Sequence, residues 1–229
     1  MSGTVVLCGS LGSTSAMWDP QLPALDGRRV VKVEHPGHGG APVTDVHSVG
    51  DLAARVLDAV GDNTFSFVGL SLGGAVGMRL ALDAPDRIEK LVLCCTAARF
   101  GDPGAWHERA ATVREHGLEA IADAVLARWF SPGCDGVDRF RAMFLSVDPE
   151  GYARCCEALG RWDVRNELAG ITAPTLVIAA AGDPSTPPSV VEVVAAGTPG
   201  ARFEVVADAA HLVNVERPAE FNRLLEAHL

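Results

Sequence analysis

The sequence has no apolar run long enough to span a bilayer, and its N-terminus lacks a charged segment followed by a long apolar stretch. Membrane and secretory classes are set aside on those grounds, and the expected location is the cytoplasm. Basic clusters are also missing: the 229 residues carry 19 Lys and Arg against 29 Asp and Glu, a net charge of -10 with a pI near 5.1. An acidic chain repels phosphate backbones and anionic lipid, so neither nucleic acid nor membrane is expected as a partner. The six cysteines, Cys8, Cys94, Cys95, Cys134, Cys155 and Cys156, form no Cys-x-x-Cys motif. Zinc and redox motifs are thereby disfavoured, and buried free thiols are expected. Gly-x-Gly-x-x-Gly and the P-loop lysine are absent too, so the Gly- and Ser-rich stretch from Gly9 to Thr14 is not read as a phosphate cradle. No cofactor and no metal is expected. The expected partner is a small molecule, with a homo-oligomer left open.

What is present suits a single sizeable core: 48% of residues are hydrophobic and mean hydropathy is +0.19. The chain is organised around Phe65 to Gly74, where a β-prone apolar run (Phe65, Phe67, Val68) stops at Gly69 and a helical pattern starts after Ser71. Gly69-Leu70-Ser71-Leu72-Gly73 fits a nucleophile elbow, a sharp strand-to-helix turn that lifts a serine hydroxyl above a sheet. A Cβ at Gly69 or Gly73 is expected to collide with neighbouring backbone in so tight a turn.

Around this turn the chain alternates strand and helix, which implies an α/β fold with a mostly parallel sheet. Strands are expected at Thr4 to Cys8, Arg29 to Glu34, Phe65 to Gly69, Lys90 to Cys95, Ala173 to Ala179 and Arg202 to Val206. Helices are expected at 48 to 60, where Ser48 and Asp51 offer a capping pattern, after the elbow, from about Pro188 to Ala196, and from Pro218 onward. Between Thr96 and Ala173 the strand pattern vanishes and helical periodicity replaces it, in Ala120 to Phe130 and Tyr152 to Leu159. The expected organisation is a core of residues 1–98 and 171–229, with 99–170 inserted after the fourth strand as a helical cap over the strand ends. That cap concentrates Arg128, Trp129, Phe130, Arg161 and Trp162.

His35 and His38 invite a metal reading, but Pro36 and Gly37 place them on a turn without the helical spacing of zinc-protease histidines. They are expected to be structural. Ser71, Asp183 and His211 each fall just past a strand end, in the chain order serine, acid, histidine of α/β-hydrolases. The chemistry needs all three: imidazole takes the serine proton, and a buried carboxylate holds the imidazole's tautomer and stabilises its charged form. The loop after the first strand then reads as an oxyanion loop, with the Leu11 N–H converging on the same point as that of Leu72.

On these residues the chain resembles the α/β-hydrolase superfamily. More closely it is similar to the 3-oxoadipate enol-lactonases, through Ser10-Leu11-Gly12-Ser13 with Met17 to Gln21, Cys95 to Ala98, Arg128-Trp129-Phe130, Tyr152 to Ala158, and Thr172 to Ile178 with Asp183 to Pro188. The resemblance implies a cofactor-independent serine lactonase of aromatic catabolism, in the β-ketoadipate pathway, acting on 3-oxoadipate enol-lactone. That substrate carries a carboxylate, for which Arg128 and Arg161, each beside a tryptophan, are the candidate binders, with Trp129 as a further candidate for substrate binding. Members of the family usually begin with an antiparallel hairpin ahead of the first strand. Without it, six strands in the order 2-1-3-4-5-6 are expected, with Arg29 to Glu34 at an edge guarded by Arg29, Lys32 and Glu34. A general carboxylesterase or another lactonase, a cofactor-free haloperoxidase, and a non-catalytic ligand-binding protein are the rival readings.

Overall fold

The computed structural model describes residues 3–229, so Met1 and Ser2 of the expected core lie outside it. One sheet of six parallel strands organises the described residues: β1 (Thr4–Cys8), β2 (Arg29–Val33), β3 (Phe65–Leu70), β4 (Ile88–Cys94), β5 (Thr175–Ala180) and β6 (Arg202–Val206). The spatial order is β2-β1-β3-β4-β5-β6, as the sequence implied, with β2 at one edge and β6 at the other. At the β2 edge Lys32 is drawn to Asp19 at 3.0 Å, and Glu34 accepts the Ser15 N–H at 2.7 Å.

All six residues of β3 and all six of β5 are buried. Such strands need helices on both faces, which explains their continuous apolar runs. The covering helices are α1 (Val49–Val60), α2 (Leu72–Asp83), α7 (Pro188–Gly197), the short α8 (Val213–Glu216) and α9 (Pro218–His228). The Ser48 pattern closes as a full capping box: Ser48 Oγ accepts the Asp51 N–H at 3.2 Å, and Asp51 accepts the Ser48 N–H at 2.9 Å.

Between β4 and β5 the chain makes α3 (Pro103–His116), α4 (Glu119–Trp129), α5 (Val137–Leu145) and α6 (Pro149–Gly160). Helices α4 and α6 fall on the two stretches of helical periodicity expected from the sequence, while α5 adds an amphipathic turn that buries Phe140 and Phe144. Helix α3 shows almost no periodicity because it buries just Ala110 and Val113; it packs against α6 through Trp106 and others, with Asp102 capping its start and Arg114 near its end reaching Glu150 and Glu157 on α6. All six cysteines are free, with Cys134 half-buried and the others buried.

Candidate active site

The elbow is as tight as its glycines imply. A Cβ on Gly69 would run into the backbone of Gly73, and one on Gly73 into the backbone of Cys8 and Gly9. Between them Ser71 is held at φ 59 and ψ -113, a region that costs an L-residue about 1–3 kcal/mol and persists only where surrounding structure enforces it. Three bonds do so here: Ser71 N–H to the Cys94 carbonyl at 2.9 Å, Thr96 Oγ1 to the Ser71 carbonyl at 2.7 Å, and Gly73 N–H to the Gly9 carbonyl at 3.0 Å. The other non-glycine residues with positive φ are Cys95 (φ 43), just past β4, and Asp208 (φ 50), just past β6. Among the described residues, strain in L-amino acids is therefore confined to the carboxyl ends of the strands.

Asp183, past β5, and His211, past β6, meet there. His211 Nδ1–H donates to Asp183 Oδ2 at 2.7 Å, with both side chains at 5% exposure or less. The same oxygen accepts from Thr186 Oγ1 at 2.7 Å, while Oδ1 accepts the N–H groups of Ser185 at 2.8 Å and Thr186 at 3.2 Å. Burial by itself would raise the Asp183 pKa. The adjacent imidazole and this set of donors outweigh it and hold the carboxyl below its ordinary value, so the acid stays ionised and fixes the ring with Nε2 unprotonated. Cys95 lies beside the pair, its Sγ within 4.8 Å of a carboxylate oxygen of Asp183 and a ring nitrogen of His211. Burial drives its thiol pKa well upward, so it stays protonated and does not compete as a nucleophile.

Ser71 and His211 line one cavity of about 710 Å³, together with Ser10 and Leu11 from the loop after β1. Leu72 is the first residue of α2, where an N–H has no intrahelical acceptor. Neither its N–H nor that of Leu11 is taken by an acceptor among the described residues. The chemistry on offer is a proton acceptor held by a buried anion, a serine on a strained turn, and free backbone donors near it.

The Leu11 loop is braced by the two histidines expected to be structural. His38 uses its Nε2 to accept the Gly12 N–H at 3.0 Å while its Nδ1–H donates to the Pro36 carbonyl, and His35 Nε2–H donates to the Gly9 carbonyl at 2.9 Å. Burial, the largest cause, lowers the pKa of His38 to about 3 and that of His35 to about 4, so both stay neutral, as the acceptor role of His38 requires. The Pro-Gly turn marks both histidines as loop residues, but a local reading has no way to show that the turn grips the loop after β1.

Helices α3, α4 and α6 roof the cavity. Of the cap residues singled out from the sequence, Trp129 and the exposed Arg128 line it. Arg161 does not reach it: this exposed residue at the C-cap of α6 donates to the His47 carbonyl at 3.1 Å, because the helix ends with its side chain turned toward the loop before α1. Residues not singled out by sequence pattern take its place, above all Arg109 and Trp106 of α3. Their signal, an Arg three positions after a Trp on a weakly amphipathic helix, is visible only in retrospect. A further unforeseen residue ties roof to floor: Glu216 accepts the Ser131 N–H just past α4 at 2.9 Å and the Ala210 N–H beside His211 at 2.6 Å. The Leu212 N–H adds a bond to the Trp129 carbonyl at 3.0 Å.

Known proteins share this arrangement over nearly the whole chain. The profile of the alpha/beta hydrolase fold matches residues 3–218. The chain is 35% identical to 3-oxoadipate enol-lactonase 2 of Acinetobacter baylyi, over 97% of this chain and 87% of that protein. Its fold superposes on the crystal structure of the enol-lactonase from Burkholderia xenovorans LB400 with a TM-score of 0.94 and 36% identity, covering 98% and 90% of the two chains. A thermophilic esterase from Thermogutta terrifontis, solved with malate bound, matches with a TM-score of 0.91 and 28% identity over 99% and 90%. No described helix is long and apolar enough to cross a membrane. From the parallel sheet, the elbow at Ser71 and the paired Asp183 and His211, through to these full-length likenesses, it follows that the chain belongs to the alpha/beta hydrolase fold family and is a hydrolase.

Proposed function

We propose that the protein hydrolyses 3-oxoadipate enol-lactone to 3-oxoadipate through a serine acyl-enzyme. The observation that carries the mechanism is the 2.7 Å bond from His211 Nδ1–H to Asp183 in a cavity that Ser71 also lines. The enol-lactonase likenesses, at 35% and 36% identity, support the substrate.

In this reading Ser71 Oγ attacks the lactone carbonyl as His211 Nε2 takes its proton, and the buried Asp183 carboxylate stabilises the imidazolium. The tetrahedral oxyanion is held by the N–H groups of Leu11 and Leu72, donors fixed in advance and so most effective as charge develops. Collapse breaks the ring C–O bond, and His211 returns its proton to the departing enol oxygen. The leaving group stays tethered, since the ring has merely opened, and it ketonises. Water then attacks the acyl carbon with His211 as base, releasing 3-oxoadipate and restoring the Ser71 hydroxyl.

A second reading keeps the same chemistry on a simpler ester, favoured by the likeness to an esterase. A progress curve with the enol-lactone, run beside simple aryl esters, separates them. The lactonase reading expects the enol-lactone to be turned over far more efficiently, and the reverse order would assign a general carboxylesterase.

A further inference from the structure

The roof of the cavity holds two polar groups, on Tyr152 and Arg109, that no carboxylate or carbonyl takes up among the described residues. Tyr152 on α6 lines the cavity, is 0% exposed, and its hydroxyl has no hydrogen-bond partner. A buried hydroxyl left unpaired costs about 1–3 kcal/mol, so its persistence asks for a ligand. Burial raises its pKa above the ordinary phenol value, against the opposing pull of the Arg109 guanidinium, so the hydroxyl keeps its proton and is a donor.

Arg109 supplies the charge. Its guanidinium lies over the Trp106 ring at 5.4 Å and the Tyr152 ring at 5.5 Å. Two aromatic rings flank the planar group, which also lies close enough to the Tyr152 hydroxyl to oppose the rise in its pKa. Arg109 has no carboxylate partner among the described residues. Elsewhere in the same segment, Arg114 is held by Glu150 and Glu157, and Arg154 by Glu150. Asp102 and Glu108 do line the same cavity, but both are exposed and neither is paired with Arg109. Arg99 and Arg128 also line it and are likewise exposed, where a paired charge contributes little, whereas Arg109 is half-buried. The site adjoins the reacting groups: a Cβ on Gly12 would lie 3.1 Å from the Tyr152 ring, and Gly12 follows Leu11.

We infer that Arg109 and Tyr152 form a carboxylate-binding subsite that selects esters and lactones whose acyl portion carries a free carboxylate. The inference rests on the acyl-transfer reading of the cavity but not on the enol-lactone as such. The carboxylate takes two N–H bonds from Arg109 and one O–H bond from Tyr152, and this pairing replaces its hydration in the cavity.

The test compares the mono-aryl ester of a six-carbon dicarboxylic acid with the same aryl ester whose far carboxylate is methylated. For Arg109→Met, kcat/KM on the free acid is expected to fall about 30- to 300-fold, by analogy with truncation of a buried charge pair, and on the methylated ester by less than about threefold. Tyr152→Phe is expected to cost the free acid about 10- to 150-fold, as for one hydrogen bond to a charged group, and to spare the methylated ester. Arg139→Met, an exposed arginine of α5 outside the cavity, serves as the control and should change both by less than about threefold. If Arg109→Met does not fold, Arg109→Lys and Tyr152→Phe carry the test, the lysine giving an intermediate loss on the free acid alone. Parallel losses on both esters would assign these residues to packing and overturn the subsite, as would unchanged selectivity. If wild-type enzyme prefers the free acid yet ignores the enol-lactone, the lactonase reading fails while the subsite stands.

Discussion

The floor and the roof of the cavity treat polar groups in opposite ways. On the floor, the Asp183 carboxylate accepts four hydrogen bonds, and the ring it grips lines the same cavity as a serine locked in a strained turn. On the roof, a buried tyrosine hydroxyl has no partner and a half-buried arginine has no counter-ion. A saturated site is organised before the substrate arrives, which is the condition for stabilising developing charge without reorganisation. An unsaturated one gains its bonds only when a ligand brings the acceptor. On the proposed reading the difference is a division of labour, in which the floor would carry out acyl transfer and the roof would select the acyl donor.

The comparison is best broken from the floor, where effects should be largest. Ser71→Ala is expected to lower turnover on every ester by about 10⁶ while leaving the fold intact, as in other serine triads. Retention of a tenth of the wild-type rate would remove Ser71 from its role. Asp183→Asn should cost roughly 10⁴, since the amide favours the wrong imidazole tautomer. Asp208→Asn changes an exposed residue and should cost little. If the two acids exchanged these outcomes, the floor would have been assigned to the wrong carboxylate.

Between floor and roof stand His35 and His38, which fold neutral with pKa values near 4 and 3 instead of 6.5. Their unfolded forms take up protons below about pH 6.5, so the linked stability is complete above that pH and drains as pH falls toward 4. Each contributes a slope of about 1.4 kcal/mol per pH unit. His228, also depressed, acts in the same direction, so the diagnostic is a difference. Urea unfolding of wild type and His38→Gln between pH 7 and 4.5 should show the variant losing stability less steeply by one proton. Identical slopes would mean that His38 is not buried neutral. Asp183, with its pKa held down, contributes losses only below its ordinary 3.8 and does not enter this window.

The smallest effect is expected at Arg161, which lies on the roof's helix but outside the cavity. Arg161→Met should leave kcat/KM for carboxylated and neutral esters within about twofold of wild type, a surface change. A selective loss on the carboxylated ester would return it to the site.

The floor was legible because each of its residues is announced by an element boundary. Ser71, Asp183 and His211 each follow a strand marked by its own apolar run, and Gly69 and Gly73 are demanded by backbone approach alone. The roof was not. Helix α3 buries too little apolar surface to show a period, so Arg109 looked like any solvated arginine. Adjacency to a tryptophan favoured Arg161, yet where a C-cap side chain turns depends on packing against the distant loop around His47. Tyr152 was legible as part of a buried stripe, and its unpaired hydroxyl only in three dimensions. Similarly, the hold of His38 on Gly12 spans 26 residues and has no local signature.

The central claim is that Ser71 is acylated by the substrate, and rapid-quench mass spectrometry of wild-type enzyme with the enol-lactone tests it most directly. Because ring opening releases no fragment, the account predicts a transient adduct weighing as much as the whole lactone, borne by the peptide containing Ser71 and absent in Ser71→Ala. Product formation with no adduct at any quench time, or an adduct carried by another residue such as Cys95, would contradict it.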